Sequence, residues 1–175
     1  MNYLQIDKAS IENGLGVRVV LWVSGCTVSC PGCHTPWTHD FFRGRPFNDD
    51  VKEKIFEHLD KPWIKGITLS GGHPLEVQNM LDVYNLLTEI RKRFPDKDVW
   101  LYTGLELTYE QFTYPDDVSI MSRILRLCDV IVDGPFVMSQ RNITIAFRGS
   151  ENQRLIDVKR TMEAGEIVTL DLEDE

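Results

Sequence analysis

The chain has 175 residues, of which 42% are hydrophobic and 26% are charged. This size and balance are typical of one globular domain with its own core, and they exclude a disordered chain or a scaffold that depends on disulfides. The formal net charge is −8, so the chain lacks the broad positive field of a nucleic-acid-binding protein, and we expect no nucleic-acid partner.

The chain shows no signal for a membrane or for export. Its longest unbroken apolar run, residues 19–23, is far shorter than the roughly 20 residues that span a bilayer. The first seven residues lack the basic start and apolar stretch of a signal peptide. We therefore expect a cytoplasmic protein with no membrane association.

Strand and helix patterns alternate along the chain. Apolar and β-branched runs predict strands at residues 17–23, 64–69, 99–102, 130–132, 155–158 and 167–172. Helical spacing of apolar residues predicts helices from residue 48 or 49 to 59, from 77 to about 90, and from 118 to 127. Short strands separated by helices favour a mainly parallel sheet in a single α/β domain over residues 1–175, and the acidic tail at 171–175 is expected to be frayed.

Three of the four cysteines lie within eight residues, directly after the first predicted strand. Cys26, Cys30 and Cys33 have the spacing Cys-x3-Cys-x2-Cys. In a reducing compartment such a cluster indicates a metal or redox site rather than a disulfide framework. A zinc site needs a fourth ligand, which His34 or His39 would have to supply.

The three cysteines also suit a [4Fe–4S] cluster. Such a cluster ordinarily takes four thiolates, so three leave one iron open to a substrate or cofactor. Cys128 stands alone at a predicted helix end between Leu127 and Asp129. A cysteine in that setting is more often a small core residue than a ligand.

Several motifs together resemble a known family. The cysteine spacing is similar to that of the radical S-adenosylmethionine superfamily. The further matches resemble the activating proteins of anaerobic ribonucleoside-triphosphate reductase, and they cover roughly residues 1–160. They are Asn13-Gly14-Leu15-Gly16-Val17-Arg18, the cysteine loop from Gly25 to Cys33, Leu69-Ser70-Gly71-Gly72 with Pro74-Leu75, Tyr102-Thr103-Gly104, Val132-Asp133-Gly134-Pro135-Phe136, and Arg148-Gly149-Ser150 with Asn152-Gln153-Arg154.

The resemblance implies a fold, a reaction and partners. The implied fold is a partial (β/α) barrel of radical S-adenosylmethionine type. The implied activity is reductive cleavage of S-adenosylmethionine to a 5′-deoxyadenosyl radical, which takes hydrogen from a glycine of the reductase and leaves a glycyl radical. The cofactors would be one [4Fe–4S] cluster and S-adenosylmethionine, and the partners would be the reductase and a low-potential electron donor such as flavodoxin.

The resemblance also assigns residues. Cys26, Cys30 and Cys33 would bind the cluster, with no further catalytic side chain. Gly32, Cys33 and His34 would lie beside the cluster, where S-adenosylmethionine passes, and Gly71 and Gly72 would let the backbone approach its methionyl end.

Two positions depart from the superfamily pattern. His73 stands where an acid usually pairs with the ammonium group of S-adenosylmethionine. Neutral histidine offers one acceptor only, so we expect backbone groups to serve instead and His73→Glu to be tolerated. Gly32 stands where an aromatic residue is common, which leaves His34 and Trp37 as candidates for contacts with adenine.

Other polar residues have more than one interpretation. Arg18 would reach a carboxylate or a partner, or point outward into solvent. Asp133 would bind ribose, contact the partner or cap a turn. Arg148 and Arg154 flank a segment that is similar to a recognition loop but also typical of any polar loop.

Two alternative functions stay open at this point. One is a zinc-stabilised protein-interaction module without catalysis. The other is an activase of a different glycyl-radical enzyme.

Overall fold

The computed structural model describes residues 1–170 and Leu172. The predicted frayed tail therefore lies outside the described residues, except for Leu172. Seven strands form one sheet in the order β3-β1-β2-β4-β5-β6-β7. The strands are β1 Asn2–Ser10, β2 Arg18–Val23, β3 Arg45–Pro46, β4 Gly66–Gly71, β5 Asp98–Tyr102, β6 Val130–Asp133 and β7 Arg154–Asp157.

Five α-helices accompany the sheet in the described part of the chain. They are α1 Asp49–Leu59, α2 Val77–Arg93, α3 Glu110–Thr113, α4 Ile120–Arg126 and α5 Val158–Ala164. Within the described residues, no helix combines the length and the apolar character that crossing a bilayer would require.

The centre of the sheet is parallel, and its margins are antiparallel. Strands β2, β4, β5 and β6 pair in parallel, whereas β1 pairs antiparallel with both β2 and β3, and β7 with β6. The prediction of an α/β fold is confirmed, and its parallel part is the centre of the sheet. The partial barrel stays a prediction.

Local chemistry explains where α1 begins and where α2 ends. The side chain of Asn48 accepts a hydrogen bond from the amide of Val51 at 3.1 Å, which caps α1. Helix α2 ends at Arg93, just before Pro95, whose ring disfavours the helical conformation in the residue that precedes it.

One strand prediction is wrong, and strand β1 was not predicted. Residues 167–172 were predicted as a strand, but the described part of this segment forms only an isolated bridge between Thr169 and Ile156. Strand β1 was not predicted, because its residues lack a continuous apolar run and its exposed residues, Gln5, Lys8 and Ala9, do not alternate regularly with buried ones.

The two faces of the sheet bury different side chains. One face packs against the helices through an aliphatic core that includes Val19, Leu69 and Leu101. The other face carries Trp100 and Val132, and Phe147 from the later loop packs against them.

Arg18 lies on this second face and is fully buried. Its Nη2 atom is 2.5 Å from Oδ1 of Asp98, its Nε donates to the Thr68 hydroxyl at 2.8 Å, and its guanidinium lies 5.2 Å from the ring centroid of Trp100. The interpretation that Arg18 reaches a carboxylate is confirmed, and the outward-facing one is wrong.

Candidate functional site

The carboxyl ends of the parallel strands meet at one edge of the sheet. In the register, Val23 of β2 lies beside Gly71 of β4, and Tyr102 of β5 lies beside Val132 of β6. The loops that leave these strand ends therefore come together, as is typical of ligand sites in open α/β sheets.

The cysteine loop follows β2 and folds back on itself. Its backbone takes positive φ angles at Gly25 (92°), Ser29 (47°) and Gly32 (78°), and the amide of Cys33 donates to the carbonyl of Cys30 at 3.0 Å. Ser29 is in the left-handed region of φ and ψ, which is unfavourable for residues other than glycine. These turns leave Cys26, Cys30 and Cys33 half-buried and unpaired with one another.

The glycine motif after β4 is tied to the cysteine loop. The amide of Gly72 donates to the Val23 carbonyl at 2.8 Å, and the amide of His73 donates to the Gly25 carbonyl at 2.7 Å. The Thr38 hydroxyl donates to the Gly71 carbonyl at 3.0 Å. These three hydrogen bonds join residues that are far apart in sequence.

The two loops, together with the loops that follow β5 and β6, line a cavity of about 120 Å³ that opens to solvent. Its lining includes most of the predicted site residues, namely Cys26, Cys30, Cys33, His34, Gly71 and Gly72. This volume is smaller than the roughly 300–1,000 Å³ of a typical ligand pocket, so a ligand the size of a nucleoside would extend into the solvent.

Gly32, which was predicted to lie beside the cluster, is outside the cavity lining. It is exposed, and a Cβ atom added to it would lie 2.2 Å from Cε of Met138. The terminal methyl group of the exposed Met138 could move aside, so the positive φ of Gly32, +78°, is the stronger reason for glycine at this position.

The chemistry of the donors fits an iron–sulfur cluster. Three thiols line one cavity, and each thiolate of a [4Fe–4S] cluster binds a different iron, so the sulfurs need not converge on one point. Within residues 1–170 and Leu172, no three Cys, His, Asp or Glu side chains are grouped as they would be around a single metal ion. His34 and His39, the candidate fourth zinc ligands, both line the same cavity.

The surroundings of Cys26 change the proton affinity of its thiol in two opposite directions. Burial raises the pKa of its thiol, and the nearby Glu76 carboxylate and Cys30 add to this rise. The backbone amides of Ser29 and Val28 act in the opposite direction. Amide groups aimed at a sulfur stabilise the thiolate, which is the form that binds metal.

Cys128 lies apart from this site. It is 4% exposed within the aliphatic core, and its thiol donates to the Ile124 carbonyl at 3.3 Å. Burial raises the pKa of this thiol. The interpretation of Cys128 as a core residue is confirmed.

Asp133 and Arg154 hold the neighbouring loops together. The Nε atom of Arg154 donates to Oδ1 of Asp133 at 3.0 Å, and Oδ2 of Asp133 accepts from the Leu107 amide at 2.9 Å. Asp133 is fully buried, so its carboxylate serves these loops. Arg148 is half-buried, and Trp37 is 51% exposed outside the cavity lining.

Sequence reasoning missed Glu76, and it placed Thr103 in a family motif without assigning it a role. His73 is 4% exposed, and its ring nitrogens lie 3.3 Å from Oε1 of Glu76 and 2.7 Å from Oγ1 of Thr103. Oε1 of Glu76 also accepts from the amide and hydroxyl of Thr27 in the cysteine loop, at 2.6 and 2.7 Å. The one available signal was an acid three residues after the anomalous histidine.

Comparison with known proteins supports an iron–sulfur site in this chain. Residues 12–156 match the model of a 4Fe-4S single cluster domain. The anaerobic ribonucleoside-triphosphate reductase-activating protein of Enterobacteria phage T4 is 38% identical over 157 residues, which cover 89% of this chain and 93% of that protein.

Bacterial proteins of the same name are similar to the chain over a comparable length. The one from Escherichia coli (strain K12) is 38% identical, and the one from Haemophilus influenzae is 36% identical, each over 87% of this chain and 96% of the relative. The chain belongs to the family of anaerobic ribonucleoside-triphosphate reductase-activating proteins.

Proposed function

We propose that this family member is an iron–sulfur activase that uses S-adenosylmethionine to generate the glycyl radical of anaerobic ribonucleoside-triphosphate reductase. One observation carries the proposal. The cysteine loop and the glycine motif line a single cavity, and the hydrogen bond from the amide of His73 to the carbonyl of Gly25 joins them. The names of the relatives indicate the target.

The bound groups would supply the hard chemistry. Cys26, Cys30 and Cys33 would hold a [4Fe–4S] cluster, which when reduced would supply the electron for cleavage of S-adenosylmethionine to methionine and a 5′-deoxyadenosyl radical, and that radical would take a hydrogen atom from a glycine of the reductase. The protein has to hold these groups in place and limit the access of water.

The residues of the chain suit those tasks. Cys26, Cys30 and Cys33 would each bind one iron and leave the fourth open. Gly71 has a φ of +99°, a conformation in which glycine turns the backbone without strain beside the cavity. His34 is exposed at the same cavity, where the cofactor would enter.

The proposal also includes an electron donor, a cellular location and a route for the reductase. The electron would come from a low-potential donor such as flavodoxin, and the protein would act in the cytoplasm. The cavity opens to solvent, which gives the reductase glycine a route to the cofactor.

The decisive experiment is anaerobic reconstitution with iron and sulfide. The protein is then reduced and mixed with S-adenosylmethionine and the candidate reductase. We expect a glycyl radical signal by electron paramagnetic resonance (EPR), together with equal amounts of methionine and 5′-deoxyadenosine.

The controls separate the alternatives. A reductase with alanine in place of its radical glycine should give no signal. A colourless protein that retains zinc would indicate an interaction module, because zinc has a full d shell. A radical formed only on another glycyl-radical enzyme would indicate a different partner.

A further inference from the structure

Glu76 begins helix α2 but does not cap it. It occupies the N-cap position with no side-chain hydrogen bond to the helix, although an N-cap side chain usually bonds a free amide of the first turn. Its Oε1 atom instead accepts from the amide and the hydroxyl of Thr27, at 2.6 and 2.7 Å. The carboxylate thus holds the backbone directly after Cys26.

His73 extends this contact to a third loop. Oγ1 of Thr103 accepts from the amide of Leu105 at 3.1 Å, so its own proton is available for Nε2 of His73 at 2.7 Å. With Nε2 as acceptor, Nδ1 carries the ring proton and donates to Oε1 of Glu76 at 3.3 Å. The hydrogen-bond network therefore assigns the tautomer.

The charge states agree with this assignment. Burial lowers the pKa of His73, and the Glu76 carboxylate opposes this only in part. Burial acts to raise the pKa of Glu76, but the hydrogen bonds from Thr27 and His73 outweigh it and leave the pKa lowered. A neutral imidazole therefore lies against an ionised carboxylate.

Four side chains thus form one polar chain, consisting of Thr103, His73, Glu76 and Thr27. It joins the loops that follow β5, β4 and β2. A carboxylate at position 73 would have no proton to donate to Glu76, whereas neutral histidine both accepts and donates. This explains the histidine that replaces the usual acid: the acid stands three residues later and faces the cysteine loop.

We propose that Glu76 and His73 are positioning residues, which lock the backbone at Cys26 to the glycine motif and so fix the cluster relative to the S-adenosylmethionine site. The inference rests on the proposed function. Its physical importance lies in geometry, because a displacement of about 1 Å in a reacting pair can cost roughly a hundredfold in rate.

The test compares variants of the reconstituted holoprotein under anaerobic conditions. Glu76→Ala removes the carboxylate, Glu76→Gln keeps an acceptor oxygen, and Thr27→Val removes only the hydroxyl donor. Three quantities are measured: the rate of iron release to a chelator, the EPR spectrum of the reduced cluster with and without S-adenosylmethionine, and the thermal unfolding of the apoprotein.

A matched control is available at the opposite edge of the sheet. Oδ2 of Asp129 also accepts from a backbone amide, that of Val99, at 2.7 Å, and from Arg91 at 2.7 Å. Asp129→Asn should lower stability without changing iron release or the EPR spectrum.

We expect Glu76→Ala to release iron at least about tenfold faster than the wild type, because a tenfold change corresponds to the loss of one charge-assisted hydrogen bond. We also expect this variant to alter the change in the EPR spectrum that S-adenosylmethionine induces. Glu76→Gln should restore part of both. The iron-release rate of Thr27→Val should lie between those of Glu76→Ala and the wild type. Because Thr27 is exposed, this variant should fold, and it tests the contact even if Glu76→Ala does not fold.

Other outcomes overturn the inference. Wild-type iron release and spectra in both Glu76→Ala and Thr27→Val would show that the contact positions nothing, and equal effects in Asp129→Asn would show a general loss of stability. If the wild type binds a cluster and cleaves S-adenosylmethionine while the variants match it, only this inference fails. If the wild type binds no cluster, the proposed function fails as well.

Discussion

Gly72 packs directly against the backbone of Gly25. A Cβ atom on Gly72 would lie 2.5 Å from the carbonyl oxygen of Gly25 and 2.9 Å from its nitrogen. Both are backbone atoms, which cannot swing aside as the end of a side chain can. The glycine motif is therefore required for the close approach of two loops that are distant in sequence.

This contact predicts the effect of one added methyl group. Gly72→Ala should push the cysteine loop away from the glycine motif and destabilise the apoprotein by roughly 1–3 kcal/mol, as overpacking does elsewhere. It should also reduce the iron bound after reconstitution. Urea unfolding and iron analysis provide the measurements.

Gly165→Ala is the control for backbone strain alone. Gly165 has a φ of +76° at the end of α5, and its added Cβ would meet no atom within 4 Å. The substitution should cost about 1 kcal/mol of stability and leave the iron content unchanged. Wild-type iron content in Gly72→Ala would contradict the close-approach argument.

The four cysteines should divide into three ligands and one core residue. Cys26→Ala, Cys30→Ala and Cys33→Ala should each abolish activity and the stable cluster, because the loop has no spare thiolate. Cys128→Ala should keep iron, sulfide and activity near normal, with a stability loss of about 1 kcal/mol from the small cavity. Loss of the cluster in Cys128→Ala would refute the open-iron assignment.

His73→Glu should be harmful, although the sequence alone predicts that it is tolerated. The structure reverses this expectation, because the new carboxylate would be buried beside the ionised Glu76 without a proton to donate. We expect a loss on the order of 3 kcal/mol, comparable to leaving a buried charge without compensation.

His73→Gln is the matched comparison for this prediction, since its amide can still donate and accept. It should cost about 0.5–1.5 kcal/mol, the value of one neutral hydrogen bond. Urea unfolding of both apoproteins at neutral pH measures the difference. Equal stabilities of His73→Glu and His73→Gln would indicate that His73 is an ordinary turn residue.

The stability of the apoprotein should fall as the pH drops below the ordinary histidine pKa of 6.5. Burial lowers the pKa of His73, and burial with the nearby Lys61 lowers that of His58. Between the folded and unfolded pKa values the unfolded state binds more protons, so acid favours unfolding. Each group contributes at most about 1.4 kcal/mol per pH unit.

Urea unfolding at a series of pH values between 7 and 5 tests this sign. His73→Gln and His58→Gln should each flatten the slope, and the double variant should flatten it further. A slope that stays unchanged in the double variant would assign the acid sensitivity to other groups.

Short-range patterns in the sequence were sufficient to predict much of this fold. Helix α1 follows from the Asn48 cap and the spacing of Val51, Ile55 and Leu59. The parallel strands follow from short apolar runs separated by helices. The three clustered cysteines and Gly71-Gly72 were identifiable because their spacing itself is the signal.

Only the tertiary structure decided which polar residues contact each other across the sheet. The sequence around Arg18 does not indicate whether its side chain is solvated or buried. Its burial follows from the strand register, which places it near Asp98 and Thr68. The role of Glu76 likewise depends on a partner, Thr27, that lies 49 residues earlier in the chain.

The division has one physical reason. Helix caps, apolar periodicity and ligand spacing are interactions between residues a few positions apart, so the sequence by itself determined the main helices, the central strands and the cysteine loop. Buried polar contacts form between chain segments that only the sheet brings together, and their free energy depends on distances that no local pattern encodes. For that reason the tertiary structure decided the burial of Arg18, the close approach of Gly72 to Gly25 and the polar chain through His73.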